Sequence, residues 1–129
     1  MLKLSFKIFV LTLAFSSCNL LGDDSNTLVK ESANVGHDKK VFLFLREAGA
    51  TVSDSYQVTI ADFENKFDKS EIGNTFTVDT DHGKTWFNSS SINFTWLAND
   101  TLQIDYDKKL RTFIQEKKVR GVTIFYKAR

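Results

Sequence analysis

From Val41 to Tyr126 the chain alternates apolar and polar residues with a period of two, and this constrains its fold more than any other feature. Tyr56-Gln57-Val58-Thr59-Ile60 places Tyr56, Val58 and Ile60 on one face of an extended strand. Phe76-Thr77-Val78-Asp79, Ile92-Asn93-Phe94-Thr95-Trp96, Leu102-Gln103-Ile104-Asp105-Tyr106 and Val122-Thr123-Ile124-Phe125-Tyr126 follow the same rule. Val41 to Leu45 is instead an unbroken apolar run, as expected of a strand covered on both faces. The intervening residues are mostly Thr, Asn, Gln and Asp, so one face of most strands is wetted. This pattern predicts an all-β fold: a small antiparallel sheet of about six strands, curled into a sandwich or partial barrel. The complete absence of Pro fits a chain spent on paired strands. Asn99-Asp100 predicts a tight hairpin between Trp96 and Leu102, because both residues tolerate left-handed backbone. Two stretches read either way. Residues 108–118 carry Leu110, Phe113 and Ile114 at helical spacing, and residues 62–70 carry Phe63 and Phe67 likewise, so the fold has room for one short helix.

Before this domain stands a different kind of sequence. Lys3 and Lys7 precede an eight-residue apolar run, Ile8 to Phe15, which is too short to span a bilayer as a helix of about 20 residues. Ser16, Ser17 and the single Cys, Cys18, come next. A positive start, a short apolar stretch and small residues describe a secretory signal, 1–17. Phe15-Ser16-Ser17-Cys18 resembles the lipobox of bacterial lipoproteins, with Phe where Leu is usual. That resemblance implies a Cys18 acylated on sulfur, with palmitate-type chains, as the mature N-terminus. An ordinary cleaved signal that leaves Cys18 as a free thiol is the alternative. Asn19 is compatible with sorting to the outer rather than the inner membrane. Residues 18–40 are polar and aperiodic, and read as the lipidated Cys plus a flexible tether to a β-domain at 41–129.

Loss of the signal also changes the charge. Lys+Arg falls from 17 to 15 against 16 Asp+Glu, so the formal charge moves from +1 to −1. A nearly neutral chain does not grip nucleic acid through a basic surface. One Cys leaves no internal disulfide framework and no Cys-rich zinc site. Eight basic residues nevertheless fall between Lys108 and Arg129, a polarity suited to anionic headgroups or an acidic partner, or simply to a solvated face.

Catalytic signals are sparse. There is no P-loop, no G-x-G-x-x-G, no H-E-x-x-H and no G-x-S-x-G, so an enzyme is disfavoured and no cofactor is expected. The best cluster is Asp79-Thr80-Asp81-His82-Gly83. In an extended chain Asp79 and Asp81 face the same way, and His82 follows at a turn. Two carboxylates and an imidazole suit Ca²⁺, Mn²⁺ or Zn²⁺, with Asp105, Asp107 or His37 as further ligands. The competing reading is a solvated Asp-rich turn whose side chains cap backbone N–H groups. Trp86-Phe87 stands in a polar loop, and neighbours in extended chain point to opposite sides, so one ring is expected to be exposed. Asp81, His82, Trp86 and Phe87 together form the candidate binding loop. Phe125, in the outward phase beside Ile124, is either a second surface aromatic or a sign that the last strand is buried on both faces.

Arg46-Glu47-Ala48-Gly49-Ala50-Thr51, Gln57-Val58-Thr59-Ile60, Gly73-Asn74-Thr75-Phe76, Asp81-His82-Gly83, Trp96-Leu97, Leu102 to Tyr106 and Gly121-Val122-Thr123-Ile124 occur in that order. Across about residues 41–126 this resembles a family of small uncharacterised bacterial proteins, often lipid-anchored, whose domain has no assigned function. Members often carry Cys where Ala48 stands. The resemblance implies that Gly49-Ala50-Thr51 and Asp81-His82-Gly83 are recurrent loop elements placed near each other. The expectation is therefore a lipid-anchored envelope protein with a non-catalytic binding domain, facing periplasm or cell surface. It would meet the membrane through its lipid and an envelope protein or glycan through its loops. An inhibitor or immunity-type lipoprotein, and a metal-dependent hydrolase using Asp79, Asp81 and His82, are the alternatives.

Overall fold

The computed structural model describes residues 26–47 and 54–129, and the structural statements below concern these. Nine strands run in order: β1 (Asn26–Ala33), β2 (Lys39–Arg46), β3 (Ser55–Asp62), β4 (Phe76–Asp79), β5 (Ile92–Ala98), β6 (Thr101–Tyr106), β7 (Arg111–Gln115), β8 (Lys118–Val119) and β9 (Val122–Ala128). They form a five-stranded sheet ordered β1-β2-β3-β4-β7 and a four-stranded sheet ordered β5-β6-β9-β8, which do not close into a barrel. The all-β expectation holds, and each of the six strands read from the alternation is present. Cys18 and Gly49-Ala50-Thr51 lie outside the described residues.

The alternation decides which side chains meet. Val41, Leu43, Val58, Ile60, Phe76 and Val78 of the first sheet share one core with Ile92, Leu102, Ile104, Val122 and Ile124 of the second. Phe76 joins the layers, its ring centroid 5.0 Å from that of Tyr106 and 5.3 Å from that of Tyr126. The unbroken run of β2 is covered on its other face too, because Phe67 sits on Phe42 and Phe44 at 5.6 and 5.4 Å. The segment between β3 and β4 therefore forms a partial third layer. Asn74 extends the β3–β4 ladder with its side chain, accepting from Ile60 N at 2.9 Å and donating to Ile60 O at 3.0 Å. At Gly73 any Cβ would stand 2.8 Å from Gln57 Cβ, so only glycine allows this close approach.

Four expectations are corrected. The stretch read as a tether contains β1, paired with β2 from Asn26↔Arg46 to Ala33↔Lys40. It escaped the period-two pattern because it is an edge strand with a bulge between Leu28 and Lys30 and with charged Lys30 and Glu31. Strands number nine rather than six among the described residues. No helix occurs among them: residues 108–118 hold β7 and β8, and residues 63–70 are turns and irregular chain. Phe113 and Ile114 are exposed, so their helical spacing marks no buried face. Finally, β6 pairs with β9 in parallel, although every other ladder is antiparallel.

The registers define two ends of the sandwich. At one end β2, β4, β6 and β9 finish and β1, β3, β5 and β7 begin, bringing together Asn26, Arg46, Asp79, Ser91, Tyr106, Arg111 and Arg129. This is the near end, where the chain enters from its N-terminal side. The far end carries the 34–38 turn, the Asn99-Asp100 hairpin and the β8–β9 turn.

Candidate functional site

The near end is dominated by the 80–91 loop, and its base is tied at Asp79. That carboxylate is 3% exposed and accepts a forked pair of hydrogen bonds from Arg111, Nε at 3.0 Å and Nη2 at 2.5 Å. The ladder Asp79↔Arg111 puts the two residues directly opposite, which no local sequence signal announces. Asp79 Oδ1 also accepts from the backbone N–H of Asp81 at 2.9 Å, closing an Asx-type turn. The Arg111 guanidinium, followed by this backbone bond, holds the Asp79 carboxyl below the ordinary range against the opposing effect of burial.

Beyond Asp79 the chain turns sharply. Asp81, His82 and Gly83 have φ of +50°, +58° and +77°, three successive left-handed residues. The turn is closed by Lys84 N donating to Asp81 O and Thr85 N donating to Thr80 O, both at 3.2 Å. Asp81 thus does not continue an extended strand, and its carboxylate does not face the same way as Asp79 through strand geometry. It lies instead 3.8 Å from Lys84 Nζ and 3.9 Å from Arg111 Nη1. His82 is exposed.

Trp86 and Phe87 divide as an extended pair should. Phe87 stacks on Tyr56 with centroids 3.3 Å apart and planes 12° apart, and packs on the core. Trp86 is 88% exposed. Between them lies an open groove of about 410 Å³ lined by Tyr56, Thr80, Gly83, Thr85, Trp86 and Phe87. The loop then returns through an Asn88–Ser91 turn, in which Asn88 Oδ1 accepts from Ser90 N at 2.8 Å and Ser91 Oγ accepts from Asn88 N at 3.0 Å. Two cations hold its carbonyls: Lys30 Nζ donates to Ser89 O, and Arg129 Nη2 donates to Ser90 O at 3.0 Å. Burial, with Arg129 nearby, lowers the pKa of Lys30. The loop is therefore fixed at both feet and presents one large ring to solvent.

The remaining candidates disperse. His37 is at the far end, stacked on Phe63 at 5.2 Å. Asp105 accepts from Gln103 Nε2 at 3.2 and 3.1 Å, and Asp107 accepts from the Lys109 backbone at 2.9 Å. Among the described residues no three His, Cys, Asp or Glu side chains come together as a metal-holding group. The basic C-terminal run is split by the topology. Lys108, Lys109 and Arg129 belong to the near end, whereas Lys117, Lys118 and Arg120 belong to the far end. Phe125 is 55% exposed on the outer face of the second sheet, which decides for a surface aromatic over a strand buried on both faces. A second groove, about 380 Å³, opens between Phe42, Thr59, Phe67, Glu71 and Arg120, with Glu71 already bonded to Thr59 Oγ1 at 3.1 Å. Sequence reasoning missed the residues that anchor the loop, Arg111, Lys30, Tyr56 and Arg129. Arg111 is placed by the strand register, and the others by contacts between segments far apart in the chain.

Among the described residues no helix is long and apolar enough to cross a membrane. Comparison of the chain with protein-family models, with curated proteins and with solved structures finds no match. The family resemblance accordingly rests on its short motifs alone.

Proposed function

We propose that this chain is a lipid-anchored protein of the cell envelope, held through Cys18, whose β-domain is a non-catalytic binding module. One observation carries the reading: a fully presented Trp86 on a loop that is otherwise rigidly tied down. An exposed indole contributes large apolar area at low conformational cost, which is the usual composition of a contact hot spot. Loops mounted on a rigid sheet are where such contacts concentrate. The fork between Arg111 and Asp79 favours a structural role for that carboxylate over the metal-hydrolase alternative. An inhibitor role would use the same 83–91 loop, inserted into an enzyme cleft, and would appear as a stoichiometric complex.

Site-specific photo-crosslinking in the native envelope tests the reading. With p-benzoylphenylalanine replacing Trp86, adducts form with the contacted component. The same label replacing Asn99, at the far end, forms none. Equal adducts at both positions, or none at position 86, would overturn it. Mass analysis of the mature N-terminus tests the anchor separately, as acylated or free Cys18.

A further inference from the structure

We infer that the near end of the sandwich is a membrane-resting tip, in which Trp86 enters the headgroup region of an anionic bilayer while Lys84, Lys108, Lys109 and Arg129 lie against its phosphates. This deepens the preceding reading by naming the contacted component, and it rests on acylation of Cys18.

Reach favours the near end. Seven residues, 19–25, lie between Cys18 and Asn26, the first residue of β1. The eight Cα–Cα steps from Cys18 to Asn26 cover at most about 27 Å. The eight-residue strand β1 is itself about 26 Å long. Asn26 is at the near end, so this is the end of the domain next to the anchor. Presenting the far end would require a fully stretched tether running back along the whole domain.

The near end also displays the side chains of a membrane–water interface. Trp86 is 88% exposed and Lys84 is 74% exposed by its side chain, two residues apart on one loop. Tryptophan beside lysine is the composition of a membrane–water interface, with the amphipathic ring at headgroup depth and the ammonium among phosphates. Lys108, Lys109 and Arg129 are exposed at the same end, and the backbone bond from Lys108 N to Arg129 O, 3.0 Å, ties them together. Acids at this end are Glu47, Asp54, Asp68 beside Lys69, and Asp107, whose carboxylate accepts from the Lys109 backbone N–H at 2.9 Å. Asp79 is consumed by Arg111, and Asp81 is shared between Arg111 and Lys84. Four exposed basic side chains, Lys84, Lys108, Lys109 and Arg129, therefore share this end with one exposed indole, although the mature chain as a whole is formally −1.

The test uses the full-length, processed protein carrying Trp96→Phe, so that Trp86 alone emits, reconstituted into vesicles of zwitterionic and anionic phospholipid with brominated acyl chains. The expected result is vesicle-bound protein whose emission is blue-shifted and quenched by bromine. High salt, purely zwitterionic vesicles, or Lys84→Glu combined with Lys108→Glu and Lys109→Glu should weaken the quenching without releasing the protein. Acylated, vesicle-bound protein with unshifted and unquenched emission would overturn the tip while leaving the anchor intact, and would point to a protein or glycan at Trp86 instead. Unacylated protein that fails to bind vesicles would overturn the anchor, and the tip with it.

Discussion

The two ends of the sandwich use polar side chains in opposite ways. At the far end they are spent on the chain itself. Asn34 is 1% exposed; its Nδ2 donates to Asn99 O at 3.0 Å and to the Asp38 carboxylate, and its Oδ1 accepts from Asp38 N and Lys39 N at 3.0 and 3.2 Å. Gly36 N donates to Asn99 Oδ1 at 2.8 Å, and Asp62 holds both Lys39 and Arg120. These short turns stitch β1–β2 of one sheet to the β5–β6 hairpin of the other. The near end is also tied, through Asp79, Lys30 and Tyr56, yet those ties support a loop whose largest side chain touches little. A fold that needed only stability would bury Trp86 or replace it. The contrast separates residues that hold the sandwich from residues that it displays.

Substitutions sharpen that separation. The largest effect is expected at the far end, where Asn34→Ala leaves two backbone N–H groups and a carbonyl without their partner. Orphan groups cost about 1–3 kcal/mol each; these three are only partly buried, so the low end applies to each and a loss of about 3 kcal/mol in urea denaturation is expected. A loss under 1 kcal/mol would erase the distinction. At the near end Asp79→Ala strands Arg111, which is 40% exposed, so water softens the penalty to about 2 kcal/mol. Phe87→Ala removes the stack on Tyr56 from a half-buried site and should also cost about 2 kcal/mol. Trp86→Ala, its immediate neighbour, should change stability by no more than about 0.5 kcal/mol. Parity between these two neighbours would break the comparison.

Acid adds a further check on the Asp79 tie. Because Arg111 depresses the folded pKa of Asp79, its contribution is fully present above the ordinary carboxylate range. It is lost as pH falls through that range and the depressed folded value. Urea midpoints of wild type should therefore fall more steeply on acidification than those of Asp79→Asn. Parallel profiles would mean that the fork contributes no pH-dependent stability.

Legibility followed the physics of each element. Strands with one wet and one dry face announce themselves through alternation, and β3, β4, β5, β6 and β9 were readable for that reason. β2 was readable as an apolar run because Phe67 covers its second face. β1, which the sequence does not mark, and β7 and β8, which it leaves open between helix and strand, are edge strands with polar, bulged or very short sequences, whose pairing is decided by partners elsewhere in the chain. The site divided likewise. Exposure of one ring in Trp86-Phe87 follows from local geometry. The Asp79–Arg111 fork depends on a register 32 residues apart, and the left-handed backbone at Asp81 and His82 broke the extended-chain assumption that aligned the two carboxylates.

Occupation of the near end in the envelope should shield it there and leave the outer face of the second sheet as it is in the purified protein. Hydroxyl-radical footprinting of the same chain, in the intact envelope and after purification, measures this directly, with the exposed Phe125 as internal reference. Strong protection of Trp86 in the envelope and unchanged oxidation of Phe125 are expected. Equal oxidation of Trp86 in both states would contradict it.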